Sequence, residues 1–286
     1  MVLSVGVIVI PAGTRIRLGP VDLSFLRALA PDDISSLGLS QDEIRDASLV
    51  HLRGLTELEG LTLVARCITD AGLVHLRDLT GLKHLSLTNT NFTDAGLAHI
   101  RNLTGLQALD LFNTMITDAG LVHLQDFPQL MSLDLWGDHF TDAGLLHLRG
   151  MTGLEILTIH GRITDAGLVH LRDLTRLTEL DLYDNKITGA GLVYLRGLIA
   201  LARLGLRCTR ITDAGLMHIR DLKGLTGLDL SRTNITDAGL VHLRDLSKLE
   251  SIILYSTKIT DSGRSYLARF LPRIKKVVWQ GPYTAI

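Results

Sequence analysis

The chain has 286 residues, of which 46% are apolar and only 5% aromatic, and its formal net charge is −1 at pH 7. A charge so close to zero argues against nucleic acid or an anionic membrane surface as an electrostatic partner. No apolar run approaches the roughly 20 residues that a membrane-spanning helix needs, which argues against an integral membrane protein.

Residues 1–43 predict a hairpin followed by a degenerate repeat. Val2–Ile10 and Arg15–Leu18 are extended segments on either side of a Pro-Ala-Gly-Thr turn. Because no basic segment precedes the first run and no small-residue cleavage site follows it, we do not expect a signal peptide. Leu23–Ala30 predicts a helix, and the apolar pattern at 34–39 lies one period before that at 58–63. We expect this region to cover the open end of a repeat core.

From residue 44 onward the sequence repeats itself every 24 residues. Only the copy from Phe140 to Arg162 is one residue short. The copies begin at Ile44, Ile68, Phe92, Ile116, Phe140, Ile163, Ile187, Ile211, Ile235 and Ile259. Self-similarity at a fixed period of this length is typical of a solenoid. Cys67 and Cys208 are six repeats apart, too far for a disulfide, and free thiols favour a cytoplasmic location.

Each copy predicts a short helix and then a strand. Thr69-Asp70 is a helix start, because the hydroxyl caps free N–H groups and the carboxylate faces the positive end of the helix dipole. Leucines at 73, 76 and 79 follow at a spacing of three, on one side of a short helix. The Leu-Ser-Leu-Thr sequence at 85–88 then alternates as a strand with one buried face does. Stacked copies would bury the leucines in a continuous core.

The pattern L-x-x-L-x-L-x-x-T/N-x-I-T-D-A-G-L-x-H-L, over roughly residues 34–280, resembles the leucine-rich repeat in its longer, helix-bearing subtypes. The resemblance implies an α/β fold, a right-handed solenoid arc with a concave parallel β-sheet and short helices on the convex side. Where many members carry Asn or Cys this chain has mostly Thr, with Asn185 the only Asn, a departure from the cysteine-containing, F-box-associated subtype. We expect a complete domain of nine repeats over 44–258, between capping regions at 1–43 and 259–286.

Two polar columns recur on the helix side. The arginine column, exemplified by Arg77 and Arg244, alternates with aspartates and predicts ion pairing on a solvated face. The histidine column contains His51, His75, His99, His123, His147, His170, His218 and His242. Because its members lie on separate coils and have no adjacent carboxylate, we expect no metal site there.

The outward positions of the strands vary from copy to copy instead of repeating. Four consecutive copies place a ring at the last outward position, and strand spacing predicts a row of rings about 4.8 Å apart with aspartates beside them. Clustered exposed aromatics with a charged border are typical of binding hot spots. The predicted partner-binding residues on the concave face are Asp110, Phe112, Asp134, Trp136, His160, Asp181, Tyr183, Arg207 and Tyr255.

These patterns favour a non-enzymatic scaffold that binds a protein or peptide, with a basic segment of the partner meeting the aspartates. No cofactor or metal is expected, and the oligomeric state stays open. One alternative is an adaptor subunit of a ubiquitin-ligase-like or effector complex, although the first 40 residues are too few for a docking domain. The other is a hydrolase or metal site at Asp134, His160 and Asp181, against which stands the absence of any known nucleophile or phosphate-loop motif.

Overall fold

The computed structural model describes residues 15–18, 23–40 and 44–279. They form two compact units, one extending to Ile116 and including Asp126–Leu130, the other made of Thr117–Gln125 and the described residues from Met131 onward. The predicted hairpin involves Val2–Ile10, which lies outside the described residues. Its second segment, Arg15–Leu18, is a strand.

Parallel strands, one from each repeat, form the sheet of each unit. Those of the first unit are β1 (Arg15–Leu18), β2 (Ser36–Ser40), β3 (Gly60–Val64), β4 (His84–Ser86) and β5 (Ala108–Asp110). Those of the second are β6 (Ser132–Trp136), β7 (Ile156–His160), β8 (Glu179–Asp181), β9 (Arg203–Gly205), β10 (Gly227–Asp229), β11 (Ser251–Ile253) and β12 (Lys276–Val278). Within each unit the strands pair in chain order, so equivalent leucines such as Leu61 and Leu85 lie side by side.

Short helical segments connect the strands. The α-helices are α1 (Asp70–Leu73), α2 (Asp94–His99), α3 (Asp142–Leu145) and α4 (Asp261–Phe270). The 3₁₀ segments are Leu23–Ala28, Asp46–Leu52, Gly120–Asp126, Leu146–Leu148, Gly167–Leu171, Gly191–Leu195, Asp213–His218 and Asp237–Leu243. The leucine spacing of three explains the 3₁₀ geometry, since residues i and i+3 eclipse each other in that helix. None of the helices among the described residues is long and apolar enough to cross a membrane.

The leucines of strand and helix form the core. Leu85 and Leu87 of the strand region are 2% and 0% exposed, and Leu76 of the helical side is 0% exposed. The polar residue between the two strand leucines, Ser86, faces outward. The predicted fold class, a leucine-rich-repeat solenoid with a parallel sheet and short helices, is therefore confirmed.

The repeated aspartates hold neighbouring coils together, a role the sequence interpretation missed. In the second unit the Asp165 carboxylate accepts the backbone N–H of Thr188 at 2.7 Å and its hydroxyl at 2.5 Å. Asp46 and Asp70 hold the threonines of the coils that follow them in the same way. The following glycine makes room for this bond, because a Cβ on Gly191 would lie 2.4 Å from Asp165 Oδ1. The Thr hydroxyl also caps its own helical turn, as predicted, by accepting the N–H of Ala190.

One coil lacks this Asp–Thr clamp. The repeat that begins at Ile187 carries Gly189 in place of the aspartate. A Cβ built on Gly189 would lie only 2.5 Å from the Cα of Gly215 in the next coil, so the two backbones meet directly. Thr212, the residue that would receive the clamp, makes no side-chain capping bond. The clamp is thus interrupted between these two coils.

Candidate functional site

The side chains that point away from the core along the strands form what we call the strand face. In the second unit this face has three rows that run from strand to strand. The first row includes Ile156, Glu179, Arg203, Gly227 and Ser251; the middle row Asp134, Thr158, Asp181, Gly205, Asp229 and Ile253; the last row Trp136, His160, Tyr183, Arg207, Ser231 and Tyr255. Such rows follow from parallel pairing in register, because successive side chains alternate between the two faces of a sheet.

Three rings of the last row, Trp136, His160 and Tyr183, form the ring cluster. The Trp136 and His160 centroids are 4.2 Å apart at an interplanar angle of 15°. Tyr183 lies 5.2 Å from each of the other two rings. Neighbouring rings therefore lie close to the predicted spacing of about 4.8 Å, but the rings form a cluster and not a straight row, since Trp136 also contacts Tyr183 two strands away. Flat rings lean toward stacking distance instead of standing upright at the strand spacing.

His160 is well enclosed within the ring cluster, with a side chain that is 14% exposed. Its Nε2 lies 3.3 Å from Asp184 Oδ2, while its Nδ1 is buried and has no hydrogen-bond partner among the described residues. Asp184 was not among the predicted residues. Little in the sequence pointed to Asp184, which occupies the turn position after the last row, where the backbone has a positive φ of 54°.

The guanidinium of Arg207 extends the ring cluster at one end. Its Cζ lies 5.3 Å from the centroid of Tyr183, within the range of a cation–π contact. Tyr255, three repeats from Tyr183, instead has Arg232 at 6.0 Å from its ring. The structure thus joins Arg207 to the ring cluster, whereas the cation–π contact of Tyr255 is with Arg232.

The middle-row aspartates partly serve the backbone. Asp181 Oδ1 accepts the N–H of Tyr183 at 3.0 Å, and Asp229 Oδ1 accepts the N–H of Ser231 at 2.8 Å. These bonds stabilise the bend after each strand, as an Asx turn does. Asp134 occupies the same row on β6 and is half-buried. The aspartates recur for this local reason, in addition to any contact with a ligand.

The two predicted residues of the first unit, Asp110 and Phe112, also lie at the end of a strand or just after it. Asp110 on β5 accepts hydrogen bonds from the hydroxyls of Ser86 and Thr88 at 2.9 and 2.8 Å, and from the N–H of Phe112 at 2.8 Å. With both carboxylate oxygens in use, Asp110 is chiefly a structural residue. Phe112 follows β5 and is half-buried.

A groove of about 340 Å³ lies on the strand face of the second unit, beside the ring cluster. Its floor is formed where Gly205 and Gly227 place no side chain on β9 and β10, and Asp181 and Asp229 stand on either side of Gly205. A Cβ on Gly205 would lie 2.5 Å from Asp181 Oδ1, so this glycine lets the carboxylate lean over β9. The sequence interpretation drew no conclusion from these glycines and missed the groove.

The surroundings of the groove favour the neutral form of the Asp181 carboxyl over its charged form. Desolvation near the groove floor raises the pKa of the Asp181 carboxyl, and the neighbouring Asp229 raises it further. The N–H of Tyr183, Arg207 and His160 act in the opposite direction but do not reverse the shift. Two carboxylates that raise each other's cost of ionisation in this way favour a positively charged group between them.

A family model described as Leucine Rich repeat matches residues 174–195 and 225–243. An internalin from Listeria monocytogenes is 24% identical, with a TM-score of 0.60 over 93% of this chain and 85% of its own. A Leptospira interrogans LRR protein is 18% identical, with a TM-score of 0.52 over 85% of this chain and 75% of its own.

The chain thus has the fold of leucine-rich-repeat proteins. A second Listeria monocytogenes structure, internalin C2, is similar to it at 24% identity, with a TM-score of 0.55 over 76% of this chain and 84% of that one. No curated protein sequence matches the chain. At these identities the solved structures support the architecture of the repeat and carry no information on a ligand of the strand face.

On its helix side, this leucine-rich-repeat protein carries the two polar columns. Arg77, Arg172 and Arg220 contact the aspartates that follow them, as Arg77 does with Asp78 at 3.5 Å between two half-exposed side chains. Arg244 instead lies over the ring of Phe270, with its Cζ 5.2 Å from the ring centroid. In the histidine column, burial lowers the pKa of His75, and Arg53 adds to this. No group of three or more His, Cys, Asp or Glu side chains in the described ranges could hold a metal ion.

Proposed function

We propose that this leucine-rich-repeat protein is a non-enzymatic scaffold, and that the strand face of its second unit binds a segment of a protein partner. The observation that carries the proposal is the ring cluster of Trp136, His160 and Tyr183, whose stacked rings lie on a face where the core does not require them. Preassembled aromatic rings offer a large apolar contact with little conformational entropy left to lose.

The charges beside the ring cluster suit a partner segment that is basic. Asp181 and Asp229 face the groove, and Asp184 lies at the edge of the ring cluster. The near-neutral chain as a whole favours neither nucleic acid nor a membrane surface as the partner. A cytoplasmic location remains a prediction from the two free thiols.

A capture experiment with matched variants tests this function. Immobilised wild-type protein should retain a partner that Trp136→Ala loses, while Tyr194→Ala retains it. Tyr194 is the appropriate control because it is an aromatic residue of the helix side, 37% exposed. Retention by Trp136→Ala together with loss on Tyr194→Ala would place the binding surface on the helix side instead.

The catalytic alternative is not favoured. The carboxylate that His160 Nε2 contacts is Asp184, and the strand face of the second unit is an open groove and not an enclosed pocket. Chemistry at such a surface would struggle to exclude water. No feature of the described residues specifically supports the ligase-adaptor alternative.

A further inference from the structure

The groove beside the ring cluster is shaped by the absence of two side chains. Gly227 leaves the backbone of β10 open in the first row, and Gly205 leaves the space on β9 into which the Asp181 carboxylate leans. The first-row residue Ile156 borders the groove and is 38% exposed. An apolar stem with a polar tip could therefore lie flat along the floor, with its tip between carboxylates.

The charges that line the groove leave a net negative centre. The first-row pair Glu179 and Arg203 form an ion pair with each other. Arg207 is directed onto the ring of Tyr183. Asp181 and Asp229 each use Oδ1 for a backbone N–H, and their Oδ2 atoms make no hydrogen bond within the described part of the chain. Two acceptor oxygens thus remain on opposite sides of Gly205.

We propose that this groove binds an arginine side chain of the partner, with its guanidinium between Asp181 and Asp229 and its stem over Gly227, where the only close neighbour is the apolar stem of Arg203. The inference rests on the proposed function, and it names the side chain that the strand face selects. A guanidinium presents donors on more than one edge, so it can bond carboxylates on two different strands at once.

The same geometry disfavours the other cations. A lysine ammonium is a compact, strongly hydrated point charge. It could hydrogen-bond one of the two carboxylates, but it could not bond both at once. A divalent metal would need further oxygen or nitrogen ligands, and no suitable group of three ligating side chains occurs among the described residues. The flat floor suits a planar group better than either.

Nuclear magnetic resonance of the ¹⁵N-labelled full chain can test this directly. The probe is N-acetyl-arginine amide, and the readout is the chemical shift of the Gly205 and Gly227 amides. We expect saturable shifts at these two glycines, and an apparent Kd about tenfold weaker in Asp181→Asn. Asn can still accept the Tyr183 N–H, so this variant removes the charge and keeps the turn. Asp173→Asn, at an exposed pair on the helix side, should bind as wild type does.

Two further probes make the result decisive. N-acetyl-citrulline amide has the same shape without the charge and should give no saturable shift, and N-acetyl-lysine amide should bind several-fold more weakly than the arginine probe. Equal binding of lysine or citrulline, or arginine shifts that avoid both glycines, would overturn the assignment. If those shifts are absent while Trp136→Ala still loses the natural partner, only this inference fails. If Trp136→Ala keeps the partner, the proposed function fails.

Discussion

At the residue scale, the turn after the last outward row has an unusual backbone. In six copies the residue there has a positive φ: Asn89, Asn113, Asp184, Cys208, Arg232 and Ser256. Asn and Asp tolerate this left-handed conformation because their short polar side chains bond locally, whereas other L-residues are strained in it. Asn89 and Asn113 could have revealed the turn from sequence, but Cys208, with a φ of 58°, gives no such signal.

Cys208→Asn should therefore stabilise the fold, by about 1 kcal/mol, because Asn adopts the left-handed conformation at lower cost. Urea denaturation followed by circular dichroism measures the change. Cys67→Asn is the matched control, since Cys67 is the other half-exposed free cysteine and has no positive φ. If both substitutions shift the midpoint equally, or Cys208→Asn lowers it, backbone strain at Cys208 is not significant.

The histidine column makes a second prediction at this scale. Burial lowers the pKa of His75 and of His218, and the arginines Arg53 and Arg196 lower them further. Arg196 Nη2 lies 2.5 Å from His218 Nδ1, a contact that suits a neutral ring. The unfolded chain then binds protons more readily than the folded one. The stability that these rings contribute is fully present above about pH 6.5 and decreases as pH falls below it.

Urea midpoints measured from pH 8 to pH 5 should consequently fall less steeply in a His75→Gln/His218→Gln variant than in wild type. Tyr194→Gln is the control, because Tyr194 occupies the same column without an imidazole. An identical slope in the double variant and the wild type would show that these two rings do not couple protonation to folding.

At the element scale, the Asp–Thr clamp explains why Thr-Asp-Ala-Gly recurs. The sequence correctly predicted a helix cap at the threonine, as the bond from Ala190 N–H to Thr188 Oγ1 shows. It could not show that the aspartate binds the next coil, because that contact spans 23 residues. The sequence also does not show why the glycine is required, since a side chain there would clash with the aspartate carboxylate of the preceding coil.

Comparison of two threonines tests the clamp. Thr188→Ala removes a hydroxyl that donates to Asp165 and caps Ala190, so we expect a loss of about 1.5–3 kcal/mol. Thr212→Ala should cost much less, because Gly189 supplies no carboxylate to it and it makes no side-chain capping bond. Chemical denaturation of both variants gives the comparison. Equal losses would mean that the hydroxyl acts only within its own coil.

At the scale of the whole molecule, the repeat period was sufficient to predict the fold, and the inward direction of Leu85 and Leu87 followed from their alternation with Ser86. The ring cluster was predicted in part: the alternation identified Trp136, His160 and Tyr183 as outward neighbours, but not that Trp136 also contacts Tyr183 two strands away. The groove could not be predicted, because it depends on Gly205 lying between Asp181 and Asp229 on three different strands.

The division between core and strand face predicts opposite stability effects. Leu76→Ala should cost about 2–5 kcal/mol, because it empties a fully buried position. Trp136→Ala should cost far less, because its ring is only half-buried and lies outside the leucine core. Thermal melts of both variants measure this, and the reverse order would contradict the assignment of inward and outward positions.

Binding to the ring cluster is the central claim, and calorimetric titration of the captured partner tests it most directly. Tyr183→Ala removes a ring that contacts Trp136, His160 and Arg207, so we expect a loss of about 2 kcal/mol or more in binding free energy. Tyr194→Ala, on the helix side, should bind as wild type does. Unchanged affinity in Tyr183→Ala together with weakened binding in Tyr194→Ala would contradict the claim that the strand face binds the partner.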